Sequence, residues 1–294
     1  MTPKANPAIP LAPLPGHSLL RVEGLDAAAF LHAQTMNDVR SLAPGQWHWN
    51  GWLNAKGRLI ALFALLRTAP DAFVLVLPDF PAADLQAKLQ RFVFRSKLRL
   101  QVCDELRCAA ETGGAAQESE SRDLADGDAA SGWRLDMSGD GGVRFLHLLP
   151  ADGAALGAHE PGVESAWRDS DLAHGLPRLD EEAVEAWTPQ MLSLDRLRAF
   201  SLKKGCYPGQ EIVARTHYLG KARRGLARYS GIGLNPGAIV EKGDGVDIGR
   251  VLCVTEDRSQ GLAVVQLDHA SEAMRTSAGP IALLPLFQGL QRPL

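Results

Sequence analysis

The order of strand and helix patterns in the first third of the chain limits the folds that it can adopt. Residues 47–53 alternate large and polar side chains, residues 59–67 and 72–77 are apolar runs, and an amphipathic pattern begins at Pro81. Alternation with a period of two is typical of a strand, whereas apolar positions three and four residues apart are typical of a helix. A further strand is predicted over residues 98–102. Consecutive strands followed by a helix and another strand predict an α+β domain rather than a Rossmann unit.

Two further regions complete the expected architecture. Residues 18–22 predict a short strand, and Asp26 is a suitable cap for a helix over residues 27–34. The acidic stretch over residues 180–187 is expected to be helical. From about residue 225 the chain has many glycines and short apolar runs, which predict a small β-barrel.

Composition excludes several classes of protein. The chain has 294 residues with 46% hydrophobic content, which is enough for a sizeable core. Its four cysteines do not form a disulfide framework in a chain of this length, and no C-x-x-C pair predicts a zinc or self-contained iron–sulfur site. We therefore expect no bound metal. No apolar run is long enough for a membrane span, so we expect no membrane partner and a location in a reducing cytoplasm.

Charge is distributed unevenly along the chain. The net charge is −3, so the whole protein is not a typical nucleic-acid binder. Residues 198–228, which we call the basic segment, nevertheless contain eight basic residues and one acidic residue. A basic segment on an acidic protein indicates either an anionic ligand or partner, or a solvated basic face.

A single thiol lies among turn-forming residues in a segment that we call the thiol loop (residues 203–211). Gly205 and the Pro208–Gly209 pair favour turns, so Cys206 is expected on a tight loop rather than in a helix. Two lysines directly precede Gly205, and adjacent ammonium groups favour the thiolate, which is the reactive and metal-ligating form. An inert cysteine on a surface loop is the alternative.

The thiol loop also carries a family resemblance. Residues 204–211 read KGCYPGQE and resemble the K-G-C-[FY]-x-G-Q-E motif of the YgfZ family. These are folate-binding proteins related to the T protein (aminomethyltransferase) of the glycine cleavage system. Residues 31–39 are similar to an L-Q-G-Q-x-T-N-D-V segment of that family, and residues 53–58 to an L-[NDS]-x-K-G-R turn.

The resemblance implies a T-protein-like ring of three domains, with two α+β subdomains and a C-terminal β-barrel. We expect a folate-binding region over residues 1–222 and the barrel over residues 223–294. Within the first region the two subdomains are interleaved, and the second is expected over roughly residues 45–110 together with 150–200.

The implied ligand is tetrahydrofolate or a one-carbon derivative, whose pterin edge, ring faces and glutamate tail need different partners. Relatives of the T protein carry an R-L-E-A-G element whose carboxylate grips the pterin, and Asp195 is the nearest carboxylate in this chain. Carboxylate and amide groups suit the pterin edge, aromatic rings suit its faces, and cations suit the tail. The candidates for the pterin edge are Asn37, Asp38 and Asp195. The candidates for the ring faces are Trp47, Trp49, Trp52 and Tyr207. The candidates for the glutamate tail are Lys56, Arg58, Arg215 and Arg223.

Four residues of the thiol loop complete the candidate site. Cys206 is the candidate reactive thiol and Lys204 its cationic neighbour, while Gln210 and Glu211 bind ligand or orient the loop. Several candidates also have structural readings. Asn37 and Asp38 are suited to capping a helix end, the tryptophans to a half-buried strand, and Gln210 and Glu211 to anchoring a turn.

The function implied by the resemblance is that of a tetrahydrofolate-binding accessory protein. Such a protein supports iron–sulfur cluster assembly or repair and thereby tRNA modification. Its partners would be iron–sulfur assembly or client proteins, with tRNA involved indirectly. Two alternatives remain: an aminomethyltransferase of the glycine cleavage type, and an RNA-binding protein that uses the basic segment. Whether Cys206 takes part in catalysis is open, so the protein is not assigned as an enzyme.

Overall fold

The computed structural model describes residues 11–113, 122–219, 223–269 and 273–292. These residues form two five-stranded sheets, a closed six-stranded barrel and four α-helices. The strands in chain order are β1 (Ala12–Pro13), β2 (His17–Glu23), β3 (Trp47–Leu53), β4 (Leu59–Ala69), β5 (Ala72–Pro78), β6 (Arg99–Val102), β7 (Leu106–Thr112), β8 (Asp126–Asp128), β9 (Gly132–Asp136), β10 (Arg144–Pro150), β11 (Arg224–Gly231), β12 (Ile239–Lys242), β13 (Asp247–Val254), β14 (Gln260–Gln266), β15 (Met274–Thr276) and β16 (Gly279–Leu284). The helices are α1 (Ala27–Gln34), α2 (Ala82–Gln90), α3 (Pro161–Ala173) and α4 (Gln210–Leu219), with short 3-10 turns at Val39–Ser41 and Leu267–His269.

The first sheet has the strand order β3-β4-β5-β2-β6, with every neighbouring pair antiparallel. One face is covered by α1 and α2 through Phe30, Leu31, Leu85 and Leu89. The other face packs against the second sheet. Because both faces are covered, β3 is buried at all seven positions, and its polar residues are buried along with its tryptophans.

The second sheet has the order β1-β7-β10-β9-β8. Its inner face contributes Ala110, Leu135 and Leu146 to the same core as Trp47 and Trp49 of the first sheet. The two tryptophan rings meet edge to face, with their centroids 5.5 Å apart. This contact between sheets makes the largest core cluster of the described chain and fixes the two sheets against each other.

The barrel closes in the order β11-β14-β13-β12-β15-β16. Its interior is filled by a separate apolar cluster that includes Tyr229, Val240, Val251 and Val265. The predicted α+β class and the C-terminal barrel are therefore confirmed.

Two details differ from the sequence-based expectation. Strand β2 lies between β5 and β6 in one sheet, so the subdomain boundary expected near residue 45 runs through a sheet rather than between sheets. The helix predicted over residues 180–187 is not formed: residues 181–186 form consecutive turns, and Glu185 has a φ of 60°. A positive φ at a residue other than glycine interrupts helical hydrogen bonding, and the Glu185 amide bonds instead to the Leu59 carbonyl at 2.8 Å.

Candidate functional site

A cavity of about 860 Å³ lies beside the segment that leads into the thiol loop. Residues 190–203, the C-terminal half of α4 and the start of the barrel form its walls. The volume falls within the usual range for a small-molecule site. Its lining residues are Asp38, Ser41, Gln190, Ser193, Asp195, Phe200, Ser201, Leu202, Lys203, Thr216, His217, Arg224 and Leu267.

Buried leucines hold the wall that carries Asp195. Leu192, Leu194 and Leu197 are almost fully buried in the main core, whereas Asp195 is exposed and lines the cavity. Arg198 returns the chain with a φ of 54°, and its amide donates to the Asp195 carbonyl at 2.9 Å. The backbone around this carboxylate is therefore fixed, while the side chain remains available to a ligand.

Gln190 is a lining residue that the sequence did not reveal. Its Nε2 donates to the Val213 carbonyl at 2.7 Å, which orients the amide. Its Oε1 is buried and has no hydrogen-bond partner in the described part of the protein. A buried acceptor without a donor costs free energy, so this atom points to a donor on a ligand or an ordered water. A single glutamine in a turn belongs to no motif that would have drawn attention to it.

The two adjacent lysines of the thiol loop have different positions. Lys203 is exposed and lines the cavity. Lys204 is buried, and its ammonium donates to the carbonyls of His32 and Thr35 at the C-terminal end of α1. Burial lowers the pKa of Lys204 to about 8, against an attractive effect of Asp38. Lys204 thus anchors the loop to α1, and its ammonium points into the core, whereas the Cys206 thiol is exposed.

Cys206 is exposed and lies in a loop rather than in a helix, and it does not line the cavity. The tight turn of the thiol loop is explained by a close backbone contact at Gly209. Gly209 has a φ of 78°, and a Cβ there would lie 2.5 Å from the Asn54 carbonyl and 2.6 Å from the Gly57 Cα. The thiol loop and the turn between β3 and β4 therefore pack backbone to backbone, which brings together two segments that carry the family resemblance.

Of the remaining candidates of the thiol loop, Tyr207 and Gln210 support its conformation and Glu211 is exposed. Tyr207 is buried beneath the Lys204 ammonium, which lies 4.8 Å from the ring centroid. Burial raises the pKa of the Tyr207 hydroxyl. Gln210 donates to the Lys204 carbonyl at 3.3 Å, and Glu211 is exposed in the first turn of α4.

The adjacent residues Asn37 and Asp38 lie in different environments near the cavity. Asn37 is fully buried, and its Nδ2 donates to the carbonyls of Trp49 at 2.9 Å and Arg198 at 2.8 Å. It therefore ties the first sheet to the cavity wall instead of facing a ligand. Asp38 lines the cavity, and its carboxylate accepts from the Arg40 amide at 3.0 Å as the cap of a 3-10 turn.

The predicted aromatic wall is part of the core. Trp47, Trp49 and Trp52 are buried, and the Trp49 Nε1 donates to the Leu290 carbonyl at 2.8 Å. None of the three lines the cavity. The apolar side chains that do line it are Phe200, Leu202 and Leu267.

The predicted cations lie outside the cavity lining as well. Lys56 is exposed at the turn between β3 and β4, and Arg58 donates to the Ala186 carbonyl at 2.6 Å. Arg215 and Arg223 are exposed in the second half of the basic segment. The cationic or potentially cationic residues of the lining are Lys203, His217 and Arg224.

The described residues contain no group of three or more His, Cys, Asp or Glu side chains placed to hold a metal ion. None of their helices combines the length and apolar character needed to cross a bilayer.

Comparisons with known proteins identify relatives of this chain. It is 30% identical over 238 residues to the tRNA-modifying protein YgfZ of Vibrio vulnificus, covering 78% of this chain and 72% of the relative. It is 25% identical to the protein of the same name from Klebsiella pneumoniae, over 98% of this chain and 96% of the relative. No family model matches the chain.

A solved structure shares the fold. The glycine cleavage system aminomethyltransferase T from Bartonella henselae superimposes with a TM-score of 0.70 over 96% of this chain and 86% of the other, at 19% identity. The fold is therefore that of the T protein, with two packed α+β sheets and a terminal barrel. Together with the similarity to proteins named tRNA-modifying protein YgfZ, this shows that the chain belongs to the YgfZ family.

Proposed function

We propose that the cavity binds tetrahydrofolate or a one-carbon derivative. We further propose that the protein is a cytoplasmic accessory factor for iron–sulfur cluster assembly or repair, and thereby for tRNA modification. One observation carries the proposal: Asp195 and Gln190, whose buried Oε1 is unpaired, line the same cavity as Lys203 and Arg224.

The acceptors suit the pterin end of the ligand. An aminopyrimidinone edge presents several N–H donors, and the Asp195 carboxylate can accept two of them in a charge-assisted pair. The Gln190 Oε1 would gain the donor that it lacks. This gain favours binding, because an unsatisfied buried acceptor is removed at the same time.

The remaining lining suits the rest of the ligand. Phe200 and Leu267 offer apolar surface to the faces of a flat heterocycle, and Lys203 and Arg224 offer positive charge to the glutamate carboxylates. Bound tetrahydrofolate would supply the capacity to carry a one-carbon unit.

The position of Cys206 supports a role toward another protein. The thiol is exposed and lies outside the cavity lining, so a partner can approach it without displacing a folate. An exposed cysteine sulfur is a suitable ligand for a cluster carried by an assembly or client protein. The iron–sulfur cluster is cargo in this account, delivered or received through the partner, rather than a resident cofactor.

A transferase function is the second candidate, favoured by the shared fold with aminomethyltransferase T. Turnover with the purified partner enzymes of the glycine cleavage system would promote it. The proposal of an accessory factor expects no such turnover.

Calorimetric titration with tetrahydrofolate tests the proposed site. Asp195→Asn removes a charge but keeps the shape, and we expect affinity to fall about 10- to 100-fold, as for the loss of a charge-assisted hydrogen bond. Gln190→Met should weaken binding by about fivefold or more. Asp152→Asn, an exposed carboxylate outside the cavity, is the matched control and should bind like the wild type. Undetectable binding to the wild type, or equal affinity in all variants, contradicts the proposal.

A further inference from the structure

The connection between α2 and β6 presents an aromatic ring and several cations to solvent. We call residues 91–99 the aromatic–basic loop. Phe94 is 84% exposed, and the Arg95 guanidinium lies 5.2 Å from the centroid of its ring. Single exposed apolar residues are common on protein surfaces and mean little alone. Phe94 is distinguished by the cationic residues of the same loop.

The charge of the aromatic–basic loop is entirely positive. It contains Arg91, Arg95, Lys97 and Arg99 and no acidic residue, and all four are exposed. Arg99 lies 3.6 Å from Glu23. For the other three, no ion pair with a carboxylate is found among the described residues. Their charges are therefore available to an anionic partner.

The loop is held in place by its other side chains. Phe92 packs edge to face on Trp52 with the ring centroids 6.1 Å apart, and Val93 and Leu98 pack against the core behind the first sheet. The Lys97 amide donates to the Asp26 carboxylate at 2.7 Å. Phe94 is thus the exposed ring on a fixed scaffold, so little ordering is needed before it contacts a partner.

We propose that the aromatic–basic loop binds single-stranded RNA. A base would stack on Phe94, and Arg91, Arg95 and Lys97 would contact the flanking phosphates. Unpaired strands expose the faces of their bases, and stacking on an aromatic ring with cations along the backbone is the usual way to hold them. The site is separate from the cavity and goes beyond the proposed folate-binding function.

A lipid surface fits this region less well. Besides Phe94, the exposed apolar side chains of this region are Leu25, which is 72% exposed, and Phe92, which is 48% exposed and packs on Trp52. The shallow depression next to the loop is lined by Glu23 and Asp71 as well as Lys97. Stable adsorption to a membrane requires a larger continuous apolar face.

Fluorescence anisotropy with a labelled 12-nucleotide single-stranded RNA tests the proposal. The full chain should bind at low salt and weaken steeply as salt rises. Phe94→Ala should weaken binding about 5- to 100-fold, as for the loss of one stacked base. Lys97→Ala should reduce the slope of log affinity against log salt by about 0.7, the contribution of one phosphate contact to a single strand. Ile232→Ala, exposed by 85% on the barrel, is the matched control and should leave binding unchanged.

Several outcomes would overturn the proposal. These are no RNA binding at low salt, equal affinity for Phe94→Ala and the wild type, or binding lost only when Arg215 and Arg223 of the basic segment are replaced. Binding of the wild type to anionic phospholipid vesicles that is lost in Phe94→Ala, without RNA binding, would identify a membrane contact instead. Phe94→Ala should retain wild-type affinity for tetrahydrofolate, so this test and the folate test fail independently.

Discussion

Within the thiol loop, buried residues and exposed residues alternate over a few positions. Lys204 and Tyr207 are buried and Gly209 packs on another backbone, whereas Cys206 and Glu211 are exposed. Contacts within the protein explain the positions of Lys204, Tyr207 and Gly209. The exposed residues are accessible from solvent, and our proposal assigns Cys206 a role toward a partner. A short motif can therefore combine residues that build a loop with residues that use it.

The largest effect should come from replacing Gly209. Gly209→Ala places a Cβ 2.5 Å from the Asn54 carbonyl at a φ of 78°, which combines backbone strain with a backbone clash. We expect a loss of about 3 kcal/mol or more in the free energy of unfolding, measured by urea denaturation. Gly205→Ala is the matched control, because nothing lies within 4 Å of the position that its methyl group would occupy. If both variants lose the same stability, the proposed contact between the loop and the turn is not what fixes this backbone.

The second effect concerns the buried lysine. Lys204→Met keeps the length of the side chain but removes the donor to the last carbonyls of α1. We expect a loss of about 2 kcal/mol at neutral pH, from two unpaired carbonyls and a lost cation at a helix C-terminus. Lys203→Met should change stability by less than about 0.5 kcal/mol because that side chain is exposed.

The same variant gives a pH dependence with a defined sign. The folded pKa of Lys204 is about 8 because of burial, against 10.5 as the ordinary value. Between these values the unfolded chain holds a proton that the folded protein has released, so raising the pH stabilises the folded state of the wild type. Its advantage over Lys204→Met should widen by up to about 1.4 kcal/mol per pH unit in this window. A constant difference from about pH 7.5 to about pH 10 would show that Lys204 stays charged when folded.

The smallest effect on stability should come from the thiol itself. Cys206→Ser should change the free energy of unfolding by less than about 0.5 kcal/mol, because the side chain is exposed. Its affinity for tetrahydrofolate should also match the wild type. The variant should nevertheless fail to restore the activity of iron–sulfur enzymes in cells that lack the protein. Full complementation by Cys206→Ser would show that the exposed thiol has no role in function.

Much of the fold follows from patterns in the sequence. Helix α1 and strands β3 to β6 lie where the spacing of apolar residues and the positions of turn residues predict them. The glycines and short apolar runs from about residue 225 onward predict the barrel. Alternation of large and polar residues in β3 predicts a strand with one buried face. The second sheet and the helices cover both faces of the first sheet, so the tryptophans lie in the core and not at a ligand site. Burial of the second face depends on the tertiary arrangement, which local periodicity does not contain.

The candidate site was harder to predict. Spacing cannot decide which of two adjacent lysines turns inward, and the structure assigns the cavity to Lys203 and the core to Lys204. Gln190 is recognised only once the contacts of its two amide atoms are known, since one is paired and the other is not. Asp195 was found because a family pattern pointed to a carboxylate near its position. Asp195 lines the cavity, and its contact with a pterin stays a prediction.

We propose above all that the cavity beside the thiol loop is the binding site of a reduced folate. A crystal structure of the protein with 5-formyltetrahydrofolate tests it most directly. We predict that the pterin edge lies within hydrogen-bonding distance of the Asp195 carboxylate and the Gln190 Oε1, with the thiol of Cys206 still accessible from outside. A ligand bound elsewhere on the protein, or an empty cavity at saturating folate, would contradict the account.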